Sequence, residues 1–239
     1  MKNSEKWVQR RFFKNKKGNF IGPHMQRLIG PRYEQAIKEF CKGKIADLGC
    51  GDVPYYMFYK NLASDIVCVD WGNSLHNLSF CDIEADLNKD LPLENEVFDT
   101  VLATDVLEHI HDPEKFMSET ARILKPGGHL ILGVPFMYWI HENNDYHRYT
   151  KQMLELFCKK NQLEIIKIDA YGGFPEVLYD LLHKGYSYYG FRGRRVYYFI
   201  LENFGKFLSH RKCVKRLSEK SKDVFPLGYV IVAQKSIAV

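Results

Sequence analysis

The sequence contains no run of about 18 apolar residues, so no membrane-spanning helix is expected. Its first residues are charged where a secretory leader needs an apolar stretch, so no signal peptide and a cytoplasmic setting are expected. The six cysteines (41, 50, 68, 81, 158 and 213) form no Cys-x-x-Cys pair. Cys50, Cys68 and Cys81 lie in or beside apolar runs, which reads as reduced, buried thiols. His109 and His111 stand close to Asp105 and Glu108, but a His-x-His pair on a helix points its rings to opposing sides. No further metal-ligand spacing occurs, so no metal is expected.

The 239 residues, 46% of them apolar, suffice for one α/β domain with a filled core. The net charge of +5 is segregated. Residues 1–20 carry seven Lys/Arg and one acid, residues 21–170 fifteen Lys/Arg and 23 acids, and residues 171–227 eleven Lys/Arg and five acids. An acidic middle between basic ends fits either solvated surface or contact with an anionic or membrane surface. DNA is not an expected partner, and the oligomeric state is not readable.

The organising stretch is Lys44-Ile-Ala-Asp-Leu-Gly-Cys-Gly-Asp52. Ile45 to Asp47 reads as the end of a buried strand, and Gly49 and Gly51 force a tight turn on which a ligand can lie against bare backbone. Asp52 as N-cap and Pro54 in the first turn predict a helix after it. Strand, glycine turn and helix start together make a nucleotide-binding corner. Asp65-Ile-Val-Cys-Val-Asp70 is a second buried strand, ending in an acid 21 residues beyond Gly49. A carboxylate there can accept from two ribose hydroxyls.

Further strands are predicted over 78–86, 97–105, 129–135, 163–169 and 228–234. Helices are predicted over Pro31–Cys41, from Asp112-Pro113 to Leu124, and from the Thr150 cap to about Lys160. Alternating strands and helices predict a doubly wound, seven-stranded, mostly parallel α/β sheet. Asp47, Asp70, Asp86 and Asp105 then share the carboxyl rim, where such sheets bind ligands.

These residues resemble the class I S-adenosylmethionine-dependent methyltransferases. The matching parts are Asp47-Leu-Gly-Cys-Gly51, Asp70, Asp86-Leu87, Phe98-Asp99 through Leu107-Glu-His109, and Arg122-Ile-Leu-Lys-Pro-Gly-Gly128. The resemblance implies a Rossmann-like fold and S-adenosyl-L-methionine as cofactor. It implies that Asp47, Gly49, Cys50 and Gly51 hold the methionine portion. Asp70 takes the ribose, Trp71 lines the adenine, Asp86 accepts from its amino group with Leu87 beside it, and Ala103 and Thr104 approach the methionine amino end. One departure is Val53, where the family often has a third glycine, so a differently shaped turn is expected.

The stretch after the fifth strand, Pro135 to Thr150, is dense in His141, Asp145, Tyr146, His147, Arg148 and Tyr149. It resembles the corresponding stretch of methyltransferases of bacterial sugar and surface-polysaccharide pathways. His141, His147 and Asp145 are the catalytic candidates, since a histidine near neutrality can take a hydroxyl proton. Tyr146 and Arg148 are the substrate candidates, with Arg148 suited to a phosphate. The structural alternative is that Asp145 and Arg148 tie the loop down and Tyr149 packs.

Residues 1–43 read as a basic arm and a covering helix, and 44–239 as the methyltransferase domain. Within it, 171–227 is an aromatic and basic helical insertion, either a packed lid, a dimer contact or a membrane-surface element. It includes an amphipathic helix over Arg195–Leu208. The expected activity is methylation, O-directed, of a sugar, nucleotide-linked sugar or related metabolite. RNA methylation and a non-catalytic S-adenosylmethionine-binding partner subunit are the alternatives.

Overall fold

The computed structural model describes residues 23–72, 78–189, 196–197, 199–201, 203–205 and 211–237. The basic arm at 1–20 lies outside the described residues. Helix α1 (Pro23–Phe40) leads into β1 (Gly43–Leu48), the single turn α2 (Tyr56–Tyr59) and β2 (Ala63–Asp70). Then come β3 (Ile83–Glu84), β4 (Phe98–Thr104), α3 (Pro113–Ile123), β5 (Leu124–Pro135), α4 (Lys151–Lys160) and β6 (Leu163–Tyr171). Helices α5 (Phe174–Tyr189) and α6 (Lys212–Ser221) precede β7 (Gly228–Lys235).

The seven strands form one sheet in the order β3-β2-β1-β4-β5-β7-β6. All neighbours are parallel except β7, which runs antiparallel between β5 and β6. Successive residues of the central strands face opposite sides. Ala46, Val101, Leu130 and Ile231 pack with Phe116, Met117, Leu154 and Phe157 of α3 and α4. Ile45, Leu102, Ile131 and Val230 pack with Met25, Ile29, Tyr33 and Ile37 of α1. Because both faces are covered, the strands read as continuous apolar runs rather than alternating ones.

Several boundaries differ from the expected ones for local reasons. Helix α1 starts eight residues earlier than Pro31 and runs through it. The buried series Met25, Ile29, Tyr33, Ile37 keeps helical spacing across the proline, so packing outweighs one lost backbone bond. Asp52 does not cap α2, which starts after Tyr55 without a side-chain cap and lasts one turn. The third strand shrinks to Ile83–Glu84, because Asp82 accepts the Cys68 amide at 2.9 Å in place of a backbone carbonyl. The caps at Asp112 and Thr150 are as expected, accepting from the Lys115 and Met153 amides.

Candidate active site

Connectivity reverses between β1 and β4, which opens a crevice at the carboxyl ends of these strands. The turn after β1 is held by the Gly49 and Cys50 amides, which donate to the Val69 carbonyl at 2.8 and 3.1 Å. Gly49 and Gly51 both have positive φ (67° and 50°), and so does Val53, at 47°. The third-glycine position therefore has a conformation that favours glycine although a β-branched residue occupies it. Val53 is buried with Cys50, Cys68 and Phe80, and that packing offsets the strain.

Asp70 receives the Gly51 amide on Oδ2 and the Trp71 amide on Oδ1, both at 2.7 Å. A carboxylate has about four acceptor positions, so it fixes the glycine turn and still has capacity for hydroxyls. Asp47, at the end of β1, accepts from the Tyr59 hydroxyl at 2.7 Å. Burial, opposed by that bond and aided by Asp70, pushes its carboxyl up to about 7. Trp71 is exposed beside Asp70, and Cys50 is buried in the turn. Thr104 is part-exposed at the tip of β4, while Ala103 is buried in the strand.

Asp86 also has a local structural duty. Its Oδ1 accepts from the Asn88 amide and side chain, both at 3.0 Å, and its Oδ2 lies 3.2 Å from the Lys89 ammonium. Asn88 in turn accepts from the His111 and Asp112 amides, at 2.9 and 3.2 Å. The Asp86 carboxylate thus holds the turn that starts α3, and Leu87 is a core residue.

Beyond β4 the chain turns at Asp105 (φ 55°) into a short 3-10 turn, Leu107–His109. Glu108 is buried and Asp105 is half-buried beside it; desolvation raises both carboxyls, and the Asp105 charge raises Glu108 further. Tyr33 reaches this pair from α1, over Gly133, where any side chain would fall inside the tyrosine ring. Burial, and the charge of Asp105, push the Tyr33 and Tyr171 hydroxyls well above their ordinary range. Helical spacing placed Tyr33 on the core face of α1; nothing local showed that it would meet two acids.

The loop after β5 is joined to this turn. The Tyr146 and His147 amides donate to the Glu108 carbonyl (2.8 and 3.3 Å), and the Tyr149 hydroxyl donates to the Leu107 carbonyl (3.1 Å). Arg148 clamps the loop and does not present itself to a ligand. Its guanidinium donates to the carbonyls of Tyr138, Trp139 and His147 and to both oxygens of Asp145. All five of its N–H groups are used, so the expected phosphate grip has no free donor. Burial opposes charge on Asp145, but Arg148 and the His141 amide hold its carboxyl below the ordinary range.

His141 Nδ1 lies 2.8 Å from Asp145 Oδ2 but makes no hydrogen bond among the described residues, while the His141 backbone amide donates to the same oxygen at 3.1 Å. Its ring meets those of His109 and Tyr138 edge-on, with centroids 5.0 and 5.4 Å apart. Burial lowers the His141 pKa, against the opposing pull of Asp145, and keeps the imidazole neutral near pH 7. His147 packs on Tyr149 (5.4 Å), with a buried Nε2 that makes no hydrogen bond among the described residues. Tyr146 is half exposed. The structure therefore brings together His141 and Asp145, and keeps His147 apart on the Tyr149 side.

Comparison with known proteins agrees with this architecture. Residues 46–132 match the Methyltransferase domain family. A SAM-dependent methyltransferase from Archaeoglobus fulgidus superposes with a TM-score of 0.56 at 16% identity, covering 86% of this chain and 90% of that one. The fold is the Rossmann-like fold of class I methyltransferases. An uncharacterized protein of transposon TN4556 from Streptomyces fradiae is 30% identical over 153 residues, 55% of this chain and 44% of its own length. A ubiquinone biosynthesis O-methyltransferase from Bartonella tribocorum is 28% identical over 160 residues, 55% of this chain and 64% of its own length. The chain thus spans about half to two thirds of the length of these relatives.

Residues 46–132 carry the match to a methyltransferase domain, and solved neighbours with this fold include S-adenosylmethionine-dependent methyltransferases. The residues present fit that cofactor: a bare-backbone turn, a carboxylate with spare acceptor capacity at the end of β2, and the buried Asp47 at the end of β1.

Proposed function

We propose that the protein methylates a hydroxyl of a small molecule, a sugar, nucleotide-linked sugar or related metabolite, using S-adenosylmethionine. The observation that carries this reading is the His141–Asp145 pair, 2.8 Å apart on the same rim as the glycine turn and Asp70. When bound, S-adenosylmethionine supplies a methyl group already activated by a sulfonium. The chain then has to align the acceptor and take its proton. Alignment of this kind is worth about 7–11 kcal/mol, and a positioned base roughly 10²–10⁴-fold. Asp145, fixed by Arg148, holds the His141 backbone amide in place, and the imidazole accepts the hydroxyl proton. Asp70 takes the ribose hydroxyls while its bond to the Gly51 amide keeps the turn in shape.

A hydroxylated aromatic acceptor is the second reading. It is favoured by the Bartonella relative's name and by the aromatic side chains of the loop, Tyr138, Trp139 and Tyr146. A methyl-transfer screen over sugars, sugar nucleotides and phenolic metabolites, read by a gain of one methyl by mass, separates the two. His141→Ala is expected to lower turnover by about 10²-fold or more with S-adenosylhomocysteine affinity unchanged in calorimetry. Equal turnover would remove His141 as the base.

A further inference from the structure

Three side chains at the acceptor end of the crevice converge in a way that proton transfer alone does not account for. One ligand atom each from Glu108, His109 and His141 lies within 4.8 Å of the others. The His109 Nδ1 lies 3.0 Å from the Asn144 carbonyl. A carbonyl only accepts, so Nδ1 carries the proton and Nε2 keeps its lone pair. That nitrogen lies 3.7 Å from Glu108 Oε1, a lone pair facing a carboxylate beyond hydrogen-bond reach. The Glu108 side chain is 1% exposed, and its Oε2 accepts no hydrogen bond among the described residues. Glu142 brings further negative charge, with Oε2 4.0 Å from His109 Nδ1.

We propose that Glu108, His109 and His141 bind one divalent first-row transition-metal ion, beside the place of the methyl acceptor. Two imidazoles and a carboxylate suit such ions, which take these donors at roughly 2.0–2.2 Å, better than they suit magnesium or calcium. The outer partners are already in place. The Asn144 carbonyl fixes the His109 tautomer, the arrangement that orients metal-bound histidines, and Asp145 Oδ2 lies 2.8 Å from His141 Nδ1 while accepting the His141 amide. Sequence spacing predicts no metal, since His109 and His111 on a helix point to opposing sides; His111 does stand apart, its ring against Tyr146. The partner of His109 comes from the loop after β5.

Three protein ligands leave positions open for a hydroxyl oxygen of the acceptor, which loses its proton more readily on a cation. With the ion bound, the His141 lone pair is on the metal, so the proton passes to water in place of His141, and the oxygen keeps the pair that forms the new O–C bond. The C–S bond breaks with its electrons going to sulfur. This role of the ion rests on the methyltransferase reading; its binding does not.

The test is titration of the metal-stripped full chain with Co²⁺, followed by visible absorption, alongside calorimetry with S-adenosylhomocysteine. One equivalent of Co²⁺ should bind and be displaced by Zn²⁺. His109→Ala and His141→Ala should each weaken Co²⁺ by about 100-fold or more, and Asp145→Asn by about 10–100-fold. His111→Ala should change nothing. Glu108→Gln is informative if it folds; His109, at the edge of the cluster, carries the test if it does not. Absence of Co²⁺ binding, or binding equally tight in His109→Ala and His141→Ala, would overturn the proposal. Co²⁺ failing while S-adenosylhomocysteine binds removes the metal and leaves the methyltransferase reading intact; the reverse result removes that reading and keeps the site.

Discussion

Asp47 ends β1 with its carboxyl out of water and one oxygen on the Tyr59 hydroxyl. An unfolded aspartate releases its proton near pH 4, whereas this one holds it to about 7. The folded state therefore binds the extra proton between those values, so the stability contribution of Asp47 falls as pH rises through about 4 to 7 and levels off above. A cofactor ammonium beside it favours the charged form. S-adenosylhomocysteine affinity should accordingly rise with pH up to about 7, by at most about tenfold per unit, and then plateau. Asp47→Asn should flatten that profile in calorimetry at several pH values; an unchanged slope would place the proton elsewhere. Arg148 makes a second residue-scale prediction. Its removal leaves Asp145, whose side chain is fully buried, without its counter-charge. Breaking such a pair costs about 3 kcal/mol, the low end for buried pairs because Arg148 keeps some exposure. Urea unfolding of Arg148→Ala should show that loss; unchanged stability would return Arg148 to the ligand.

At the scale of elements, the glycine turn shows a local rule overridden by packing. Val53 sits in the left-handed region at a strain of about 1–2 kcal/mol, while its side chain is buried against Cys50, Cys68 and Phe80. In Val53→Gly the strain relieved and the burial lost nearly cancel. The variant is expected to lie within about 1 kcal/mol of the parent in urea unfolding. Val69→Gly, in an extended strand with no strain to relieve, should cost at least about 2 kcal/mol more. The loops after β4 and β5 form a second unit. The Glu108 carbonyl, the Tyr149 hydroxyl and the five donors of Arg148 bind them into one wall, so His141 is held by elements rather than by loop chance.

At the scale of the molecule, α1 crosses the sheet face and places Tyr33 against Asp105 in the crevice floor. The segment around 196–205 carries apolar side chains outward. Its described residues are helical, but Val196, Phe199, Ile200 and Phe204 are exposed, and Leu201 and Gly205 face inward, Gly205 against Tyr179. The apolar residues Val196, Phe199, Ile200 and Phe204 are thus on the outer face among the described residues. The double variant Phe199→Ser, Ile200→Ser should therefore change stability by no more than about 0.5 kcal/mol. A loss above about 2 kcal/mol in urea unfolding would show that this face is covered. No helix among the described residues is long and apolar enough to cross a membrane.

Strand content, the helix caps at Asp112 and Thr150, the glycine turn and the acid 21 residues beyond it were legible in the chain. Each depends on neighbours within a few residues or on a spacing that the parallel sheet fixes. The role of Arg148, the local duty of Asp86, the meeting of Tyr33 with Asp105, and the convergence of His141 on Glu108 and His109 were not legible. They bring together groups 32 or more residues apart in sequence, or depend on which donors a loop leaves free. Local sequence determines where the backbone can turn and which faces must be buried; only the closed sheet decides which polar side chains share a dry space, because their charges and hydrogen bonds are settled by what lies across it.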